Sequence, residues 1–143
     1  MVRNLNLLVV DDDPSIVRIV KTYLEKGLPA DINLHTATSP EEAQTWLDEH
    51  CCDILISDIE MPGISGLDML RFARHRNAWT QVVFLTGHST WDRIAEAIEN
   101  GASDYLLKPI NRDELIDVVS QTRSRMIRWQ QALKGTLHSA AQS

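Results

Sequence analysis

The sequence predicts an α/β domain in three layers, with a parallel five-stranded sheet covered by helices on both faces. Three observations predict it. Short apolar runs and segments of helical period alternate five times along 143 residues. The runs are apolar throughout, as in Leu7-Leu8-Val9-Val10 and Val82-Val83-Phe84-Leu85, which suits strands buried on both faces. No long-period repeat, low-complexity tract or internal linker divides the chain, and its length suits one domain with a sizeable core.

The first strand is Leu5 to Val10 and ends in Asp11-Asp12-Asp13. Pro14 is a favoured first helical residue after an Asp cap; Ile16, Val17, Val20 and Leu24 then recur at helical spacing, with Gly27 as the expected stop. The second strand is Ile32 to Ala37. Its helix opens with the capping box Ser39-Pro40-Glu41-Glu42 and turns Ala43, Trp46 and Leu47 inward. Asp53 to Ser57 is the third strand, with Asp58 at its tip. The punctuated turn Met61-Pro62-Gly63-Ile64-Ser65-Gly66 leads to a helix with Leu67, Leu70 and Ala73 on one stripe.

Gln81 to Leu85 is the fourth strand, with Thr86 at its end. Ser89 and Asp92 are cap candidates for a helix that buries Ile94, Ala97 or Ile98, with Gly101 just past its end. Asp104 to Leu107 is the fifth strand, closed by Lys108-Pro109. Asn111 caps the last helix, where Leu115, Val118, Val119, Thr122 and Met126 share a face. That pattern runs from Arg112 to about Leu133, with Arg123, Arg125 and Arg128 on the exposed side as a solvated stripe. Small and polar residues from Gly135 to Ser143 read as a frayed tail.

Composition narrows the function. The net charge is -6 with a pI near 5.3, so no basic footprint for direct nucleic-acid binding and no attraction to an anionic membrane is expected. No apolar run approaches the roughly 20 residues that span a bilayer. Met1-Val2-Arg3-Asn4-Leu5-Asn6 lacks a signal-peptide cleavage pattern, so a cytoplasmic location is expected. Cys51 and Cys52 are adjacent, poorly placed for an unstrained bridge and too few for a zinc site; both are expected to be reduced.

Ligands of an open parallel sheet bind beyond the carboxyl ends of its strands. Here those ends carry Asp11, Asp12 and Asp13 after strand one, Asp58 after strand three, Thr86 after strand four and Lys108 after strand five. Carboxylates that meet in one crevice repel one another, and a hard divalent cation relieves the repulsion. Lys108 adds a compact positive charge and Thr86 a hydroxyl donor. A phosphoryl group needs such surroundings, and Asp58 is the candidate nucleophile for an aspartyl-phosphate. Singly, each residue has a plainer reading: Asp13 as a cap, Asp58 as a turn former, Thr86 as a strand-end hydroxyl, Lys108 as a surface lysine. The combination points to phosphoryl chemistry.

The segments Leu8-Val9-Val10-Asp11-Asp12-Asp13, Ser57-Asp58-Ile59-Glu60-Met61-Pro62-Gly63-Ile64-Ser65-Gly66, Phe84-Leu85-Thr86-Gly87 and Gly101-Ala102-Ser103-Asp104-Tyr105-Leu106-Leu107-Lys108-Pro109 resemble the response-regulator receiver domain of two-component signalling. The resemblance covers residues 4–127 and leaves 128–143 as a helical extension and tail, either the start of a connection to an output domain or the end of a stand-alone receiver. It implies a doubly wound, flavodoxin-like (βα)5 fold of strand order 2-1-3-4-5. It implies Asp58 as acceptor of a phosphoryl group from a phosphohistidine, on a sensor histidine kinase or a histidine phosphotransfer protein. Magnesium, or manganese, would be held by Asp12, Asp58 and the backbone carbonyl of Glu60, with Asp11 acting through water. Lys108 would contact the phosphoryl oxygens, and its bond to Pro109 would be cis.

By the same resemblance Thr86 and Tyr105 form a switch pair. The Thr86 hydroxyl would move to the phosphoryl group and Tyr105 would swing inward, changing the face built from helix four, strand five and helix five. That face would meet an output domain, a partner or a second copy of the chain. Glu60 and His88 lie where such domains tune acyl-phosphate hydrolysis; His88 is otherwise a loop histidine. Trp91 begins helix four, as a partner contact or a packing residue. Two rival classes stay open. An aspartate-nucleophile phosphatase would use the Asp11/Asp13 spacing, although no cap domain for a substrate is present. A phosphorylation-independent interaction domain would be expected to lack an acid, the hydroxyl or the lysine, and all are here.

Overall fold

The computed structural model describes residues 4–87 and 90–142. Strands and helices alternate as β1 (Leu5–Val10), α1 (Pro14–Gly27), β2 (Ile32–Ala37), α2 (Pro40–Glu49), β3 (Ile54–Asp58), α3 (Gly66–Arg76), β4 (Gln81–Thr86), α4 (Trp91–Glu99), β5 (Asp104–Leu107) and α5 (Arg112–Gln142). The sheet is parallel, in the order β2-β1-β3-β4-β5. This is the flavodoxin-like, doubly wound fold that the sequence predicts. The order reverses between β1 and β3, so the crevice above their carboxyl ends is the topological switch point.

Strand side chains alternate between two cores. Leu8, Val10, Leu55, Val82 and Phe84 face α2, α3 and α4, with Ala43, Leu47, Leu70, Ala73 and Ala97 packed on them. Leu7, Val9, Ile54, Ile56, Val83 and Leu85 face α1 and α5, against Val20, Leu24, Leu115, Val118 and Val119. Each fully buried aliphatic side chain contributes roughly 1.5–3 kcal/mol. The strand tips are therefore anchored from below by tightly packed residues on both faces.

Caps set where the helices begin. Asp13, Ser39 and Ser65 each accept a backbone N–H of the first turn of α1, α2 and α3. Asn111 does the same for α5, through Glu114 N–H at 2.9 Å. Helix α4 is capped by Thr90, which accepts from the Arg93 N–H, whereas Asp92 lies inside the first turn; the other cap candidate, Ser89, lies outside the described residues. Of the residues expected to be buried on α4, Ala97 is buried, Ile94 is partly covered and Ile98 is exposed.

Gly27 ends α1 as expected, without a positive φ; a Cβ there would collide with the Ile116 side chain. Two sequence expectations are corrected. The frayed tail from Gly135 is instead helical as far as Gln142. Propagation gains one hydrogen bond per residue, and a single glycine outside the left-handed region costs only about 1 kcal/mol against that. Arg123 is not part of a wholly solvated stripe, because it pairs with Asp31 at the start of β2. Gly101 does terminate α4, at φ 85°. Cys51 is exposed, Cys52 is buried, and both are free thiols, as expected. Among the described residues no helix is long and apolar enough to cross a membrane.

Candidate functional site: an acidic pocket at the switch point

Parallel register brings the tips together. Val10 pairs with Ser57, so Asp11 and Asp12 follow β1 beside Asp58 at the end of β3. Asp58 pairs with Leu85, which puts Thr86 one residue further out on the neighbouring strand; Thr86 in turn pairs with Leu107, just before Lys108. One carboxylate oxygen from each of Asp11, Asp12 and Asp58 lies within 4.8 Å of the others. Lys108 Nζ stands 2.8 Å from Asp11 Oδ2 and 3.6 Å from Asp58 Oδ2. Of the six strand-tip residues singled out from the sequence, Asp11, Asp12, Asp58, Thr86 and Lys108 therefore converge on one crevice, and Asp13 does not. The Lys108–Pro109 peptide is cis, as expected.

The loops hold these groups in place. The Asp13 N–H donates to Asp11 Oδ1 at 2.9 Å, orienting that buried carboxylate. The Asp13 carboxylate accepts from both the N–H and the hydroxyl of Ser15. That turns Asp13 toward the start of α1, so it does not serve as a second free acid. The Glu60 N–H reaches Asp58 Oδ1 at 3.4 Å. Gly66 begins α3 hard against the backbone of the acceptor loop: a Cβ would sit 2.6 Å from the Asp58 carbonyl oxygen and 2.6 Å from Ile59 Cα. Only glycine fits there.

The electrostatics follow from crowding. Asp58 is only 7% exposed. Its carboxyl is pushed up to about 6, first by burial and then by the Asp11 charge, with Lys108 opposing. Burial alone would lower the Lys108 ammonium; Asp11 and Asp58 outweigh it and hold the group above its ordinary range. The Asp13 carboxyl is held below the usual range by the Ser15 hydrogen bonds. Asp11 Oδ2 is buried and paired with the Lys108 ammonium at 2.8 Å. One lysine against three clustered carboxylates leaves excess negative charge, and this set of hard oxygen ligands fits a small divalent cation such as magnesium or manganese, with water filling the remaining positions.

Tyr105 lies on β5 opposite Phe84, packs against the α2–α3–α4 core, and keeps its hydroxyl shielded from solvent without a hydrogen-bond partner among the described residues. Trp91 is 81% exposed and is not a packing residue. His88 lies outside the described residues. Sequence reasoning missed Arg93, whose Nη1 is 2.8 Å from Glu60 Oε1 across the pocket mouth. The available signal was a cation in the first turn of a helix, where the dipole disfavours positive charge and a compensating acid is to be sought.

Comparison with known proteins agrees with this geometry. The family model for the response regulator receiver domain matches residues 7–120. The chain is 35% identical over 132 residues to the DNA-binding transcriptional regulator NtrC of Klebsiella pneumoniae, covering 92% of this chain and 27% of that protein. The chain thus spans about a quarter of the length of that curated relative. The crystal structure of a response regulator receiver domain protein from Clostridium thermocellum superposes with a TM-score of 0.77 at 32% identity, covering 85% of this chain and 95% of that one. The signal receiver domain of an HD domain-containing protein from Pseudomonas fluorescens Pf-5 gives 0.80 at 28% identity, covering 88% and 99%.

Proposed function

Since this chain belongs to the response regulator receiver domain family, we propose that Asp58 is its phosphoacceptor. A carboxylate oxygen of Asp58 attacks the phosphorus of a phosphohistidine on a sensor histidine kinase or histidine phosphotransfer protein. A P–O bond forms, the P–N bond breaks, and the imidazole leaves with its electron pair. The observation that carries this reading is the convergence of three carboxylates and one ammonium on adjacent strand tips. The chain acts as a signalling domain that catalyses only its own phosphorylation and dephosphorylation, in the cytoplasm.

Each residue then has a physical task. Lys108 lies nearer Asp11 than Asp58 in the resting pocket, which leaves an Asp58 oxygen available as nucleophile and the ammonium ready to meet phosphoryl oxygens. Asp12, Asp58 and the Glu60 carbonyl would hold magnesium or manganese, with Asp11 through water; the ion supplies charge neutralisation for carboxylates and phosphoryl oxygens alike. The Thr86 hydroxyl donates to the phosphoryl group once it is present. Tyr105 is partly buried against the α2–α3–α4 core, with its hydroxyl unpaired among the described residues, and would swing further inward when Thr86 moves to the phosphoryl group. The readout is the face of α4, β5 and α5, where Trp91, Ile98 and Leu107 stand 81%, 68% and 54% exposed. Apolar side chains so open suit an output domain, a partner protein or a second copy of the chain.

Incubation with magnesium and acetyl phosphate, followed by intact-mass measurement, tests the assignment. The wild type is expected to gain one phosphoryl group and Asp58→Asn none. An unchanged wild-type mass in folded protein would overturn it.

A further inference from the structure

We infer that Arg93 is a positioning residue of this pocket: it holds the Glu60 side chain at the mouth and cancels its charge, which keeps the pocket open to dianionic phosphodonors. The inference rests on Asp58 being the phosphoacceptor and assigns a task to a residue outside the acceptor set.

Four carboxylates gather at or beside the mouth, from Asp11, Asp12, Asp58 and Glu60. Lys108 is already shared between Asp11 and Asp58 and lies mostly covered. Glu60 follows Asp58 by two residues, and its N–H is bonded to the acceptor carboxylate, so its own charge cannot be far from an incoming donor. The counter-charge for Glu60 is Arg93, at 2.8 Å, and both side chains are 46% exposed, at the rim where a donor must pass. The backbone of Arg93 is anchored in the first turn of α4, where its N–H donates to Thr90 Oγ1 at 3.3 Å.

The alternative task, bracing α4, fits less well. An exposed ion pair adds little to stability, and α4 is fastened elsewhere. At its carboxyl end Arg74 donates to the Asn100 carbonyl at 3.0 Å and to the Gly101 carbonyl, and Arg71 donates to Asn100 Oδ1 at 3.0 Å. A cation in the first turn of α4 also works against the helix dipole. What the Glu60–Arg93 pair does offer is local neutrality, which matters most to the capture of a multiply charged anion.

The test is a time course of Asp58 labelling by acetyl phosphate with magnesium, over a range of donor concentrations. Arg93→Ala is expected to slow labelling at low donor by roughly three- to tenfold, through a higher half-saturating concentration and not a lower ceiling. Adding Glu60→Gln, which keeps the backbone carbonyl, is expected to restore the rate. High salt is expected to shrink the defect. A brace for α4 would be neither rescued by removing the partner charge nor softened by salt. Labelling of Arg93→Ala at the wild-type rate, or a defect that survives both treatments, overturns the inference while the Asp58 assignment stands. A wild-type chain that takes no phosphoryl group at all removes both.

Discussion

Strand β3 has a buried aspartate at each end, and the two sit in opposite electrostatic settings. Asp53, just before the strand, is fully covered, and its Oδ2 accepts the Asn6 N–H at 2.8 Å. Its own N–H and carbonyl clasp Asn6 and Gln81 at 2.9 Å each, tying together the starts of β1, β3 and β4. Asp58, at the other end, meets two further acids and a lysine shared with one of them. The same residue type is thus a fastener where backbone amides satisfy it and a reactive group where like charges crowd it. Burial alone distinguishes neither; the partners do.

Asp53→Ala is expected to show the fastener most clearly. It leaves the Asn6 N–H without its acceptor and empties a covered site, at a cost of about 2–4 kcal/mol in urea unfolding. Protein that remains folded should still be labelled at Asp58. If labelling were lost with stability intact, the two ends would not be separable as claimed.

Gly66→Ala attacks the other end through sterics. Its Cβ would meet the Asp58 carbonyl oxygen and Ile59 Cα at 2.6 Å, and both are backbone atoms that cannot rotate away. A loss of about 1–3 kcal/mol is expected, together with slower acetyl phosphate labelling, because the acceptor's own backbone must shift. Unchanged labelling kinetics would mean that the start of α3 moves and the acceptor loop does not.

The two ends also differ in how legible they were. The tip residues Asp11, Asp12, Asp58, Thr86 and Lys108 could be placed together because a parallel strand ends where its apolar run ends, and every run ends at the same edge. Asp53 could not be separated from an ordinary first strand residue, since its acceptor partner is the backbone of Asn6, 47 residues away. Arg93 was hidden for a similar reason: an ion pair between a loop and another helix leaves no periodic trace. Gly66 was seen as turn punctuation, whereas its glycine is required by a close backbone approach that only the folded chain creates. Helix α5 outran its expected end because Gly135 alone does not stop a helix, and small and polar residues after Leu133 still propagate it as far as Gln142.

The finest comparison is the effect of neutralising Asp58 on stability. Its carboxyl is raised to about 6 in the folded chain by burial and by Asp11, above the 3.8 of an unperturbed aspartate. A raised carboxyl favours folding while it is protonated: the contribution is complete below the unfolded value and is lost as pH rises through about 6. Asparagine does not titrate and escapes that loss. In chelator at about pH 7.5, Asp58→Asn is therefore expected to be more stable than wild type, by about 1–2 kcal/mol once water at the mouth has screened the charges. The advantage should fade toward about pH 4, where wild-type Asp58 is protonated in both states. Saturating magnesium should shrink it from the other side, because the ion stabilises only a chain that keeps the acid. Urea midpoints at several pH values, with and without magnesium, measure all of this. A gap that stays constant with pH would mean that neither burial nor Asp11 raises the Asp58 carboxyl, and that the two ends of β3 are electrostatically alike.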